Sequence, residues 1–236
     1  MSGLTRLIAN VKTALAQTPH PLSTPPPASL HADPSPPMPI APAMRRTELA
    51  AQFARELGKV EGDFIGTFTP DEARDRAVNL ARQIGATRIA VGAGVVLDEG
   101  PIARALEHAG FAVSSYRHAA PDTAAGLADQ MAQCDLGVVE ADYAIASTGT
   151  FAVTGAAGRP LSLSLLPPVN LILVDAARLV PDLATAVSAL GLATVTDHRI
   201  ALITGPSRTA DIEKMIVVGV HGPKQLYAMI VWPERR

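Results

Sequence analysis

Three short runs carry residue types able to bind an anion or move a proton. The first is Gly205-Pro206-Ser207-Arg208-Thr209-Ala210-Asp211. Its surroundings read as a strand followed by a helix, so N–H groups at the helix start would face an anion with the positive end of the dipole. Ser207 and Thr209 add hydroxyls, and Arg208 adds a fork matched to carboxylate or phosphate. Asp211 would sit in the first helical turn. The same residues also make ordinary caps with a surface arginine. The second run is Ser147-Thr148-Gly149-Thr150, whose hydroxyls around a glycine either cradle an anion or form a tight hairpin turn. Glu140 and Asp142 precede it at an expected strand end. They suit acid–base work, or they are a turn acceptor and a solvated charge. The third is His221-Gly222-Pro223, where His221 is a general acid or base, or a cap for helix carbonyls.

Other reactive side chains are sparse. His20, His31, His108, His118 and His198 show no metal-ligand spacing, so no metal site is expected. Gly92-Ala93-Gly94 lacks the third glycine of the dinucleotide fingerprint, Leu97 standing in its place. No cofactor is expected.

The elements that position these runs alternate between helical and β-rich segments. Leu49, Phe53 and Leu57 share a helical face that stops near Gly58. Thr69-Pro70-Asp71-Glu72 starts a helix with a capping box. Arg88–Leu97 reads as a buried strand, 101–109 as a helix, 111–116 as a strand, 122–133 as a helix and 136–140 as a strand. Tightly connected strand segments follow over 142–154. Then come a strand at 170–175, a helix at 183–190, a strand at 200–204, a helix at 209–217 and a strand at 226–232. The alternation predicts an α/β fold, a largely parallel sheet with helices on both faces.

The chain begins differently. Leu4, Leu7, Ile8, Val11 and Leu15 form one apolar stripe, so residues 1–18 are expected to hold an amphipathic helix. It docks on its own domain or on a partner subunit. Ten prolines between residues 19 and 42 make 19–43 a Pro-rich linker, leaving 44–236 as the folded domain.

Composition excludes several functions. With 20 basic and 22 acidic residues there is no basic footprint for nucleic acid. The single cysteine, Cys134, cannot form an intramolecular disulfide or hold an iron–sulfur cluster within one chain. The most apolar zone, 161–174, is broken by Pro167, Pro168 and Asn170, so no membrane span and a cytoplasmic location are expected.

The run Gly205-Pro206-Ser207-Arg208-Thr209-Ala210-Asp211-Ile212-Glu213, followed by Gly219-Val220-His221-Gly222-Pro223, resembles the C-terminal signature of the lactate-utilization (LUD) domain family, and within it the protein C (LutC/YkgG) type. The stretch from Ala141 to Thr150 and the run Ser164-Leu165-Leu166-Pro167-Pro168 agree in order and spacing. Ser147 departs from the pattern, since the family commonly has an acidic residue before Thr-Gly-Thr; Glu140 is a candidate substitute. The resemblance implies a NagB/RpiA/CoA-transferase-like fold and a part in a three-protein system oxidising L-lactate to pyruvate, with iron–sulfur proteins as partners. It also implies a small anionic metabolite as ligand, held by Thr148, Gly149, Thr150, Gly205, Ser207, Arg208, Thr209 and Asp211, with Glu140 and His221 for proton transfer. Ser207, Arg208, Thr148, Thr150 and His221 are then expected in one cleft. The alternative is a free-standing enzyme on a phosphosugar- or acyl-CoA-type anion.

Overall fold

A computed structural model describes residues 43–116, 124–155, 159–190, 199–210, 216–218 and 222–232. The expected N-terminal helix and Pro-rich linker lie outside the described residues. Helix α1 (Ala43–Lys59) turns Leu49, Phe53 and Leu57 into the core at intervals of four. Strand β1 (Asp63–Phe68) follows, then α2 (Pro70–Gln83), which starts as its sequence dictates. Thr69 Oγ1 accepts from the Glu72 N–H at 3.3 Å, and the Glu72 carboxylate accepts from the Thr69 N–H at 2.9 Å. That reciprocal bond holds the Glu72 carboxyl below the usual glutamate range.

Strands β2 (Arg88–Val91), β3 (Ala112–Ser115) and β4 (Leu136–Glu140) are joined through helices α3 (Val95–Glu99), α4 (Ile102–His108) and α5 (Ala124–Ala132). The strand expected over 88–97 ends at Val91. Gly92-Ala93-Gly94 breaks it, and Val95 begins a helix instead. Later come β5 (Tyr143–Ile145), β6 (Thr150–Thr154), β7 (Val169–Asp175), β8 (Leu179–Val180), α6 (Leu183–Ala189), β9 (Ile200–Ile203), β10 (Arg208–Ala210), β11 (Ile216–Val218) and β12 (Gln225–Val231).

Six strands form one all-parallel sheet in the order β1-β12-β7-β4-β2-β3. The pleat sends alternate side chains to opposite faces. Ile172, Val174, Leu226, Ala228 and Ile230 pack with α1 and with Met131 of α5. Leu171, Leu173, Met229 and Val231 pack with α2, α3 and α4. Helices therefore cover both faces, as the α/β pattern predicts.

The middle of the chain builds a second, four-stranded sheet in the order β8-β5-β6-β9. Its Phe151 meets Phe53 of α1 edge-on, ring centroids 5.0 Å apart, which ties the two layers. Where a helix is expected over 209–217, the described residues at both ends are strands instead. β10 and β11 pair antiparallel, Arg208 with Val218 and Ala210 with Ile216. Thr209, Ile216, Val217 and Val218 are β-branched, and that preference for a pleated backbone outweighs the helical spacing. The Gly205 run therefore leads into a strand, and the helix-dipole argument for an anion there falls away.

Candidate functional site

The strand order reverses between β2 and β4: the chain leaves β2 outward to β3, then returns to lay β4 on the other side. In open α/β sheets the crevice beyond the strand ends at such a point is the favoured ligand site. Here Glu140 ends β4 and Gly92-Ala93-Gly94 follows β2. Glu140 Oε2 accepts from the Val96 and Leu97 N–H groups at 2.8 and 3.1 Å, so it caps the start of α3. A Cβ at Gly94 would fall on the Glu140 carboxylate, so only glycine admits this approach. Burial pushes the Glu140 carboxyl up, against the lowering pull of the two N–H groups and of Arg159.

Asp142 is fully engaged beside it. Arg159 grips both of its carboxylate oxygens, at 2.9 Å each, and donates a third bond to the Glu140 carbonyl at 3.0 Å. Asp142 Oδ2 also accepts from the Thr154 N–H and hydroxyl at 2.7 and 2.8 Å. This clamp locks the base of the β5–β6 hairpin. Sequence reasoning passed over Arg159, yet it is the only charged residue between Asp142 and Asp175, and a lone charge in so apolar a stretch signals a partner.

At the far end of the hairpin, four residues of strand or roughly 13 Å away, lies a row of hydroxyls. Thr148 Oγ1 and Thr150 Oγ1 are 2.7 Å apart, and Thr150 Oγ1 and Thr204 Oγ1 are 2.8 Å apart. Pairing of β6 with β9, Phe151 opposite Ile203, brings Thr204 to Thr150. Gly149 (φ +63°) lies so close to α1 that a Cβ would fall on the Leu57 backbone. Gly205 (φ +73°) lies equally close to the Val60 carbonyl.

Beyond it, the Ser207 N–H donates to the Pro223 carbonyl at 2.8 Å, and a Cβ on Gly222 would meet Ser207 Cβ at 2.8 Å. Arg208 pairs with Glu61 at 2.7 Å. The structure thus brings Thr148, Gly149, Thr150, Gly205, Ser207 and Arg208 to the C-terminal end of α1, together with Gly222-Pro223. Thr209 lies in β10, while Asp211 and His221 are outside the described residues. Glu140 stands apart, at the hairpin's other end. Thr204 went unnoticed in the sequence because its role depends on the β6–β9 pairing. Among the described residues no cluster of metal-ligating side chains occurs.

The raised Glu140 pKa predicts a pH effect with a definite sign. From the ordinary glutamate value of 4.5 upward to the raised one, the folded chain holds a proton that the unfolded chain has lost. Stability therefore falls as pH rises through that window. In Glu140→Gln this component of the fall disappears. Urea unfolding of both proteins across the window checks it, and parallel profiles would refute it.

Comparison with known proteins places the chain. The LUD domain model matches residues 50–231. Lactate utilization protein C of Bacillus pumilus is 29% identical over 196 residues, 80% of either chain. The uncharacterized protein YkgG of Escherichia coli is 32% identical over 164 residues, 68% of this chain and 69% of that one. The crystal structure of a DUF162 family protein from Deinococcus radiodurans superposes with a TM-score of 0.56 at 20% identity, over 79% of this chain and 98% of that one. The chain belongs to the LUD domain family, of the lactate-utilization protein C and YkgG type.

Proposed function

We propose that this chain serves lactate utilization as a cytoplasmic subunit without an iron–sulfur cluster, binding a small carboxylate of the lactate or pyruvate kind and working beside iron–sulfur partners. The observation that carries this reading is the row Thr148, Thr150 and Thr204 beside the Ser207-Arg208 loop on the end of α1. Hydroxyls can orient a carboxylate or an α-hydroxyl, and a guanidinium matches a carboxylate in charge and shape. The names of the lactate utilization relatives support the metabolic setting. With Cys134 alone the chain does not ligate a cluster through its own cysteines, so electrons would pass through the partners. A NagB/RpiA-like ancestry of the α/β body belongs to the same reading.

A thermal-shift screen with lactate, pyruvate, a phosphosugar and coenzyme A tests the proposal. Lactate or pyruvate raises the melting temperature with concentration, and Arg208→Ala and Thr150→Val each abolish the rise. No shift with either acid overturns the reading. A shift with the phosphosugar or coenzyme A alone favours the free-standing enzyme instead.

A further inference from the structure

The carboxyl ends of β1 and β12 leave a groove against the first half of α1, with a volume of about 320 Å³. Trp232, Phe68 and Ala50 supply its apolar wall, and Thr67 and Thr69 supply hydroxyls. The Trp232 backbone N–H donates to the Phe68 carbonyl at 2.8 Å, which carries the β12–β1 pairing past the strand end. The indole packs on the α1 side of the sheet. The groove reaches Thr47, about 15 Å along α1 from Leu57 and the hydroxyl row.

Two donors in this corner have no acceptor. Trp232 Nε1 and Arg46 Nε are both shielded from water, and neither has a hydrogen-bond partner among the described residues. The Arg46 guanidinium lies over the indole, 5.8 Å from the ring centroid, so the two groups are neighbours. Buried N–H groups are nearly always paired, because an unpaired one forfeits the bond it made to water. The groove therefore calls for an occupant that brings carbonyl acceptors and apolar surface and few donors of its own.

The chain carries such a segment. Pro36-Pro37-Met38-Pro39-Ile40-Ala41-Pro42 leads directly into α1. Four of these seven residues are prolines and lack an N–H, so carbonyls outnumber donors. Such a sequence favours polyproline II, and aromatic-lined grooves take segments of that kind. The reach is short. Thr47 stands one turn into α1, about 6 Å of rise from Ala43. Two or three extended residues, at about 3.1 Å each, span the same distance.

We propose that residues 36–42 of this chain lie in its own groove as an extended strand, with the Trp232 indole N–H donating to one of their carbonyls. The tether to the N-terminal apolar stripe is then the shorter stretch 19–35. The groove is independent of the carboxylate site proposed above.

Trp232 is the one tryptophan of the chain, so its fluorescence reads the groove directly. Acrylamide quenching of the full chain tests the proposal. Pro36→Ser, Pro37→Ser and Pro39→Ser together raise the quenching constant at least about twofold and move the emission to longer wavelength, as docking is lost. Pro25→Ser, Pro26→Ser and Pro27→Ser together, upstream of the docked strand, leave both unchanged. Arg208→Ala also leaves them unchanged, so failure of the carboxylate site and failure of this one are distinguished. Wild-type quenching in the 36, 37 and 39 variant overturns the proposal. So does an equal rise in the 25, 26 and 27 variant. Protection of Trp232 that is lost on dilution shows a second copy's segment in the groove, and overturns docking within one chain.

Discussion

Replacing Gly149 by alanine lowers the unfolding free energy by about 2–5 kcal/mol, two causes acting together. Its φ of +63° places an alanine in the left-handed region, at a cost of about 1–2 kcal/mol. The new Cβ would also fall on the Leu57 backbone, and a rigid overlap of that kind costs about 1–3 kcal/mol more. Gly85→Ala is the control. Its φ is +66°, but a Cβ there meets open space, so it carries the conformational cost alone. Chemical denaturation separates the two contributions. If Gly149→Ala costs no more than Gly85→Ala, the close approach of the turn to α1 is not what holds it. The same experiment reads the site, because any retreat of Gly149 from Leu57 carries Thr148 and Thr150 away from Thr204.

Arg159→Met is expected to cost about 2–4 kcal/mol. The pair is largely shielded, with side-chain exposures of 23% for Arg159 and 19% for Asp142. Removing one partner leaves the other as a shielded charge without its counter-ion, and fully buried cases cost about 3–5 kcal/mol. The remaining exposure, and the two bonds Asp142 keeps from Thr154, reduce that figure. Asp142→Asn in the Arg159→Met background recovers about 1 kcal/mol or more, the signature of coupled residues. Arg159→Lys does not restore the wild-type value, because an ammonium cannot match two carboxylate oxygens and the Glu140 carbonyl with one fork. Additive single and double substitutions would show that the pair is not coupled.

Most of the parallel core was legible because its elements, β1 apart, carry local signals. Thr69 and Glu72 write their capping box into four residues, and Val169–Asp175 is an apolar run too short for a helix. Two stretches depart from the expected elements for one physical reason, local backbone preference. Glycines end β2 at Val91, and β-branched residues favour the paired strands Arg208–Ala210 and Ile216–Val218. Strand β1 was missed because Gly66 interrupts it with a bulge, so no clean alternation was visible.

The candidate site divides in the same way. Thr148, Gly149, Thr150 and the Gly205 loop announced themselves as turn chemistry. What brings them together is long-range: β6 against β9, and both glycines against α1. The capping role of Glu140 depends on the meeting of β2 and β4, which no local pattern records. Thr204 and Arg159 act through partners distant in the chain, so only the fold reveals them.

The pairing of β1 with β12 has a consequence for biogenesis. The first strand of the domain finds its neighbour only in the last, Asp63 opposite Tyr227 through Phe68 opposite Val231. β12 in turn is the bridge between β1 and β7. During synthesis β1 and α1 leave the ribosome early and wait, their apolar faces without a sheet to join, until nearly all of the domain has been made. Contacts so distant in sequence form slowly, and edges left open in the interval invite aggregation. The domain completes its fold as a late event, and a nascent chain stalled before Gln225 presents a surface for chaperones to hold.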